Sequence, residues 1–329
     1  MGHHVIDVAS LASSIRAGSV RALARGLTCI EAGGSIAESL VELLYPYSRP
    51  CHVIGVTGAP GAGKSTLVNV LAQCIRQRGR QVAVLAIDPS SPFTGGAILG
   101  DRIRMADAAE GGDVFIRSMA TRGALGGLSR AAADAVDVMA AAGREVVIVE
   151  TVGVGQDEID IMRLAHSTVV VSVPGLGDEI QALKAGIIEI ADIHVVNKAD
   201  REGADRTIAD LKTMLAMDGR HVSWEPPVVR CVAAKAEGVG MLADELERHG
   251  QHLQASGEIG AREKRISEAR VLKLAQSFIV DTLKPALERQ DDSVARDIQR
   301  VVIRDLSPYR FARALLTRAS EPQPVKAHV

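Results

Sequence analysis

Gly58-Ala59-Pro60-Gly61-Ala62-Gly63-Lys64-Ser65-Thr66 is the stretch that decides how this chain folds. A glycine, four residues and then Gly-Lys-Ser is the phosphate-loop pattern, and the flanks agree with it. His52-Val53-Ile54-Gly55-Val56-Thr57 reads as a buried strand, and Leu67-Val68-Asn69-Val70-Leu71-Ala72 as the amphipathic helix that follows. Glycines let main-chain N–H groups wrap a phosphate with no Cβ in the way. The new helix turns its positive end toward the anion. Lys64 has the reach for the terminal phosphates, and the Ser65 hydroxyl is a hard oxygen ligand for Mg2+. The loop predicts a nucleoside-triphosphate site spanning Gly58 to Thr66. Alone, it separates neither ATP from GTP nor hydrolysis from transfer to an acceptor.

The base is addressed far downstream. The apolar strand Ile193-His194-Val195-Val196 ends in Asn197-Lys198-Ala199-Asp200, an Asn-Lys-x-Asp quartet of the guanine-reading kind. The Asp200 carboxylate can accept hydrogen bonds from guanine N1–H and its 2-amino group. Adenine offers neither donor and would leave that carboxylate unsatisfied, so a site built this way rejects it. The Lys198 stem is expected along the ring face, and Asn197 is expected to tie this loop to the phosphate loop. A further strand, Val228 to Val232, runs into Ala233-Ala234-Lys235, where a main-chain N–H could meet the guanine O6.

Acids fall between these landmarks where a magnesium site needs them. Val82-Ala83-Val84-Leu85-Ala86-Ile87 delivers Asp88 at its end, expected beside the phosphate loop in a doubly wound sheet. Glu145-Val146-Val147-Ile148-Val149 delivers Glu150, followed by Thr151-Val152-Gly153. This resembles the Asp-x-x-Gly element of GTPases with Glu in place of Asp, so Glu150 is expected to act on Mg2+ directly or through water, with the Gly153 N–H on the γ-phosphate. Asp101 lies where a first switch segment is expected. In Ras-like enzymes a glutamine directly after this glycine orients the attacking water. Here Val154 stands in that place and cannot do so, while nearby Gln156 could substitute or simply brace the loop. The expectation is slow unassisted hydrolysis.

The 329 residues allow one α/β domain and accessory helices. A net charge of −2 and a pI near 6.5 give no footprint for nucleic acid or an anionic membrane. Cys29, Cys51, Cys74 and Cys231 are scattered without Cys-x-x-Cys spacing, which suits reduced thiols and a cytoplasmic setting. No apolar run approaches the ~18 residues of a membrane span. Residues 1–50 read as a helical extension, with one helix carrying Leu11, Ile15, Val20, Leu23 and Leu27 and a second over Ser35 to Tyr45. Residues 51–255 alternate strands and helices, giving a mostly parallel sheet covered on both faces, with Ala131 to Ala142 as one covering helix. Residues 256–329 read as helices over Ala261 to Leu287, Ser293 to Val302 and Tyr309 to Thr317, with Pro285 near the end of the first.

Together these features resemble the MeaB/ArgK/MMAA family of GTPases. The resemblance is carried by the phosphate loop, Asp88 to Arg102 (Asp88-Pro89-Ser90-Ser91-Pro92-Phe93-Thr94-Gly95-Gly96-Ala97-Ile98-Leu99-Gly100-Asp101-Arg102), Phe115 to Gly123, Glu150 to Gln156 and Asn197 to Asp200. It implies a homodimeric metallochaperone that uses GTP, with Mg2+, to gate adenosylcobalamin loading and to protect or reactivate methylmalonyl-CoA mutase or a related mutase. It implies that the C-terminal helices form a dimerisation arm. It also implies a nucleotide-coupled loop at Gly177 to Ile187, where Asp178 and Lys184 are the charges to test. Arg117 and Arg122 could bring positive charge toward the phosphates or merely pair with nearby acids. Two other readings stay open. One is a kinase with an acceptor; the other is a metal-insertion GTPase, although the His- or Cys-rich tract common in such proteins is missing beyond His3-His4.

Overall fold

The computed structural model describes residues 6–88, 114–120, 127–151, 163–175, 190–217, 223–288 and 292–320. Three helices open the chain: α1 (Val8–Arg16), α2 (Val20–Ala32) and α3 (Gly34–Leu44). Sequence periodicity joins the first two because Leu11, Ile15, Leu23 and Leu27 share a near-helical spacing. The backbone breaks between them at Gly18, whose φ of 82° is left-handed. Ser19 then caps α2 by accepting the Ala22 N–H, much as Asp7 caps α1 through Ser10. Val20, expected on the buried stripe, is exposed as the first residue of α2.

The sheet is built from β1 (His52–Gly58), β2 (Val82–Asp88), β3 (Phe115–Ala120), β4 (Val146–Thr151), β5 (Ser167–Ser172), β6 (Ile193–Val196) and β7 (Val228–Arg230). Their order is β3-β2-β4-β1-β5-β6-β7, and every pairing is parallel. Such strands are buried on both faces, which is why they read as continuous Val/Ile/Leu runs. Alternate residues sort cleanly to the two sides. Ala83, Leu85, Ile87, Val147 and Val149 join the core under α1, α2, α3 and α5 (Gly127–Ala141). Val82, Val84, Ala86, Val146 and Ile148 join the other core, under α4 (Lys64–Gln77) and α7 (Val239–Ala255). Leu67, Leu71 and Ile75 anchor α4 there, each side chain contributing about 1.5–3 kcal/mol on burial. Helix α6 (Ala204–Met217) packs beside β6 and β7.

β1 has β4 on one side and β5 on the other, while the chain leaves it first toward β2 and later toward β6. The direction of winding reverses at β1, and the crevice beyond its C-terminal end is where an open α/β sheet accepts a ligand. The phosphate loop occupies that end.

The chain divides into two compact units, Met1–Ser267 and Glu268–Val329. Helix α8 (Glu258–Glu288) contains Pro285 in its last turn; α9 (Asp292–Val302) and α10 (Pro308–Ser320) follow. The second unit has its own small core of Val294, Phe311 and Leu315 with Leu283, Val301 and Leu306. It leaves Val271, Leu272, Phe278, Ile279 and Tyr309 exposed. No helix among the described residues is long and apolar enough to cross a membrane.

Candidate functional site

The loop between β1 and α4 holds its shape through glycines at left-handed torsions. Gly61 has φ 75° and Gly63 φ 83°. A Cβ built on Gly63 would lie 2.6 Å from Asn197 Nδ2, so the loop and the downstream Asn-Lys-x-Asp turn touch at that point. A Cβ on Gly61 meets nothing within 4 Å, so the space beside that residue is open. At Gly58 the obstacle to any side chain is the Val171 carbonyl of β5.

Lys64, only 6% exposed, folds its ammonium back to donate to the carbonyls of Gly58 (2.8 Å) and Ala59 (3.0 Å). Lys198 Nζ donates to Gly61 O at 2.7 Å. Two cations converge on one short loop, which suits a polyanionic ligand. Ala59 and Ala62 are buried in the loop, whereas Pro60 and Thr66 are exposed.

Ser65 Oγ donates to Glu150 Oε1 at 2.6 Å. Register explains the meeting: Glu150 on β4 pairs with Val56 on β1, and both point to the α4 face. The donor set is a hydroxyl and a 5%-exposed carboxylate, the hard oxygen chemistry that magnesium takes, so these residues fit the ion. Asp88 ends β2, which β4 separates from β1. Glu150, not Asp88, therefore stands on the strand next to the phosphate loop.

The base-side residues form one assembly. Asn197, 2% exposed, donates through Nδ2 to Ala62 O (2.8 Å) and accepts the Ala233 N–H at Oδ1 (3.0 Å). One amide thus links the phosphate loop, its own turn and the Ala233–Lys235 turn. Asp200 Oδ2 lies 3.3 Å from Lys235 Nζ, with both side chains about half exposed at the mouth. Ala234 is exposed beside them. Sequence reading missed that Lys198 adopts φ 54° and bonds the phosphate loop. It also missed Arg230, which donates to Ala199 O and pairs with Asp205, bracing the turn from below. No spacing announces either one, because both contacts depend on the fold.

Arg117 pairs with Glu31 of α2 at 2.7 Å on the edge strand β3, which β2 and β4 separate from β1. It serves the N-terminal helices and not the phosphate loop. Asp101, Arg122, Gly153, Val154, Gln156, Asp178 and Lys184 lie outside the described residues.

Known proteins resemble this chain in sequence and in fold. Residues 23–288 match the family described as methylmalonyl-CoA mutase-associated GTPase MeaB. A Pyrococcus abyssi relative is 43% identical over 309 residues, covering 93% of this chain and 95% of its own. GTPase ArgK of Escherichia coli is 37% identical over 268 residues, 78% of this chain and 80% of that protein. Among solved structures, the crystal structure of a LAO/AO transport system kinase superposes with a TM-score of 0.70 at 25% identity, covering 97% of this chain and 100% of that one.

Proposed function

The chain belongs to the MeaB family of GTPases, and from that premise we propose that it is a GTP-driven chaperone of a cobalamin-dependent acyl-CoA mutase, methylmalonyl-CoA mutase first among them. It is an α/β P-loop GTPase that binds guanine nucleotide and hydrolyses GTP. The observation that carries the proposal further is the Asn197 amide, which bonds both the phosphate loop and the Ala233 turn. A nucleotide seated between them reports its phosphate state to the base loop through a single buried side chain.

In this reading Lys64, released from the Gly58 and Ala59 carbonyls, takes the terminal phosphates, and the loop N–H groups cradle them. Ser65 and Glu150 hold Mg2+, which when bound neutralises phosphate charge and orients the terminal group. Asp200 reads the guanine edge, Lys198 covers the ring, and Ala233, Ala234 and Lys235 close the base side. Gly153 contacts the γ-phosphate and Gln156 helps to place the water, while Asp88 and Asp101 complete the metal environment. With Val154 unable to hold water, intrinsic hydrolysis is slow and the client accelerates it. We place the protein in the cytoplasm as a homodimer joined through the helices after residue 256. The exposed Val271, Leu272, Phe278 and Ile279 support that surface.

The test is functional pairing with a client. With an adenosylcobalamin-dependent methylmalonyl-CoA mutase present, GTP turnover should rise, and the protein with GTP should extend the mutase's active lifetime. The Lys64→Ala variant should do neither. If labelled γ-phosphate accumulates on an acceptor and not as free phosphate, a kinase reading, in keeping with the name of the LAO/AO transport system kinase, replaces this one.

A further inference from the structure

At the end of the sheet opposite the phosphate loop, the first residues of β1 and β5 begin a continuous polar chain. His52 Nε2 lies 2.7 Å from Ser167 Oγ, and Ser167 Oγ lies 2.7 Å from His249 Nδ1. His249 Nε2 stands 3.4 Å from Asp192 Oδ1. Asp192 then takes both arms of Arg262, at 2.8 Å and 2.9 Å, and accepts the Thr168 N–H at 2.8 Å. Arg262 sits in the second turn of α8, whose first residue, Glu258, bonds Ser223. Ser167 and His249 are 0% and 1% exposed, so the Ser-His-Asp grouping has no access for a substrate and is not a nucleophilic site.

The donors and acceptors have one consistent order. Asp192 only accepts, so the His249 proton is on Nε2 and its Nδ1 accepts from the Ser167 hydroxyl. Ser167 oxygen then accepts from His52 Nε2–H. An extra proton on His249 Nδ1 turns that acceptor into a donor. Ser167 then finds an acceptor for its own hydrogen only if His52 moves its proton to Nδ1, and an imidazolium sits buried beside the Arg262 guanidinium. Protonation therefore costs a rearranged hydrogen-bond chain and a buried charge next to Arg262.

We propose that the His52–Ser167–His249–Asp192–Arg262 chain is a proton-sensitive latch that seats the first two turns of α8 on the base of the sheet and frees them on protonation. Burial favours the neutral rings: it pushes His249 down to about 4 and His52 down to about 3. Charges face the pair from every packed element. His166 lies beside His52, with Arg80 acting on it from a distance; His252 and Arg248 flank His249 on α7; Glu258, Arg262 and Glu263 come from α8. Asp192 and Glu258 oppose the downward push on His249 but do not overcome desolvation. Protons have a route in, because His52, His166 and Glu263 line a cavity of about 450 Å3 whose wall includes Ile259 of α8.

The only tryptophan reports on the latch. Trp224 donates Nε1–H to Asp192 O at 2.8 Å, and its ring lies 4.9 Å from that of His249, tilted by 56°. The experiment uses the full chain and hydrogen exchange, corrected for intrinsic rates, at residues 262–267 between pH 7.5 and 5.5. Two histidines that regain ordinary basicity on opening raise the opening equilibrium by about 100-fold over that interval, and one alone by about 10-fold. Protection at 262–267 should fall by that factor while protection in α4 holds, and Trp224 emission should change with it. His252→Gln, which removes the other ring beside Trp224 (5.4 Å), should leave the transition in place. Arg262→Lys, which keeps the charge but loses the fork, should lower protection at 262–267 already at pH 7.5. Protection at these residues that is independent of pH, or that falls only together with α4, overturns the latch. Unchanged protection in Arg262→Lys does the same.

Discussion

The Asn197 side-chain amide donates to the Ala62 carbonyl at 2.8 Å, across 135 positions of sequence. Its other end accepts from Ala233 N, so a residue from the base-reading turn also fixes the phosphate loop. Replacing it disturbs both halves of the site at once. In Asn197→Ala two buried main-chain groups lose their partner, and folding stability should drop by about 2–3 kcal/mol. GTP affinity should drop at least about tenfold as the loops separate. Denaturant titration and calorimetry check the two parts independently.

Two glycines of the same loop should respond differently to alanine. Both have left-handed torsions, but only at Gly63 does the new Cβ strike a neighbour, Asn197 Nδ2, at 2.6 Å. Gly61→Ala carries backbone strain alone, about 1–2 kcal/mol. Gly63→Ala adds the loss of the Asn197 contact and should be the more destabilising variant by denaturant midpoint. Nucleotide binding should suffer in both, since each substitution strains the loop proposed to hold the phosphates.

Glu150 should separate binding from turnover. Its carboxylate is joined to Ser65 at 2.6 Å, and Glu150→Gln keeps the shape while removing the charge. Single-turnover hydrolysis should fall by about 100-fold or more, with GTP still bound and the magnesium concentration needed for activity raised. Full activity at unchanged magnesium dependence would remove Glu150 from the metal site.

Acid should destabilise this protein earlier than its carboxylates alone would cause. His194, wholly buried in β6 with neither ring nitrogen bonded among the described residues, is pushed down to about 4 by desolvation. Its ordinary value is 6.5, so the unfolded chain binds the proton first. The stability of the neutral ring is complete above pH 6.5 and is lost progressively as pH falls toward 4. The slope is about 1.4 kcal/mol per pH unit for each such histidine. His194→Leu should flatten the curve of stability against pH by one proton's worth, and His249, also near 4, should supply a second. Denaturant melts from pH 7.5 to 4.5 test this.

Much of the fold was legible because parallel strands buried on both faces leave uninterrupted runs such as Val82 to Ile87 and Val146 to Val149. The phosphate loop was legible because it is local, with strand, turn and helix contiguous in sequence. The break between α1 and α2 was hidden by a hydrophobic spacing that continues across it; Gly18 followed by Ser19, a turn and a cap, was the available signal. The sheet order, with β4 inserted between β2 and β1, is a matter of crossover topology and left no mark on any single segment. The chain from His52 to Arg262 was unreadable for the same reason. Its members are spread over the whole first unit with no fixed spacing, and only the shared base of β1, β5 and β6 brings them together.

Titration calorimetry with magnesium present, comparing GTP and ATP on the wild-type chain and on Asp200→Asn, bears most directly on the nucleotide pocket. Tight binding of GTP, little or none of ATP, and a marked loss of that preference in Asp200→Asn are the predicted results. Equal binding of the two nucleotides by the wild type, or a preference that survives in Asp200→Asn, would contradict the assignment of Asp200 as the reader of the base.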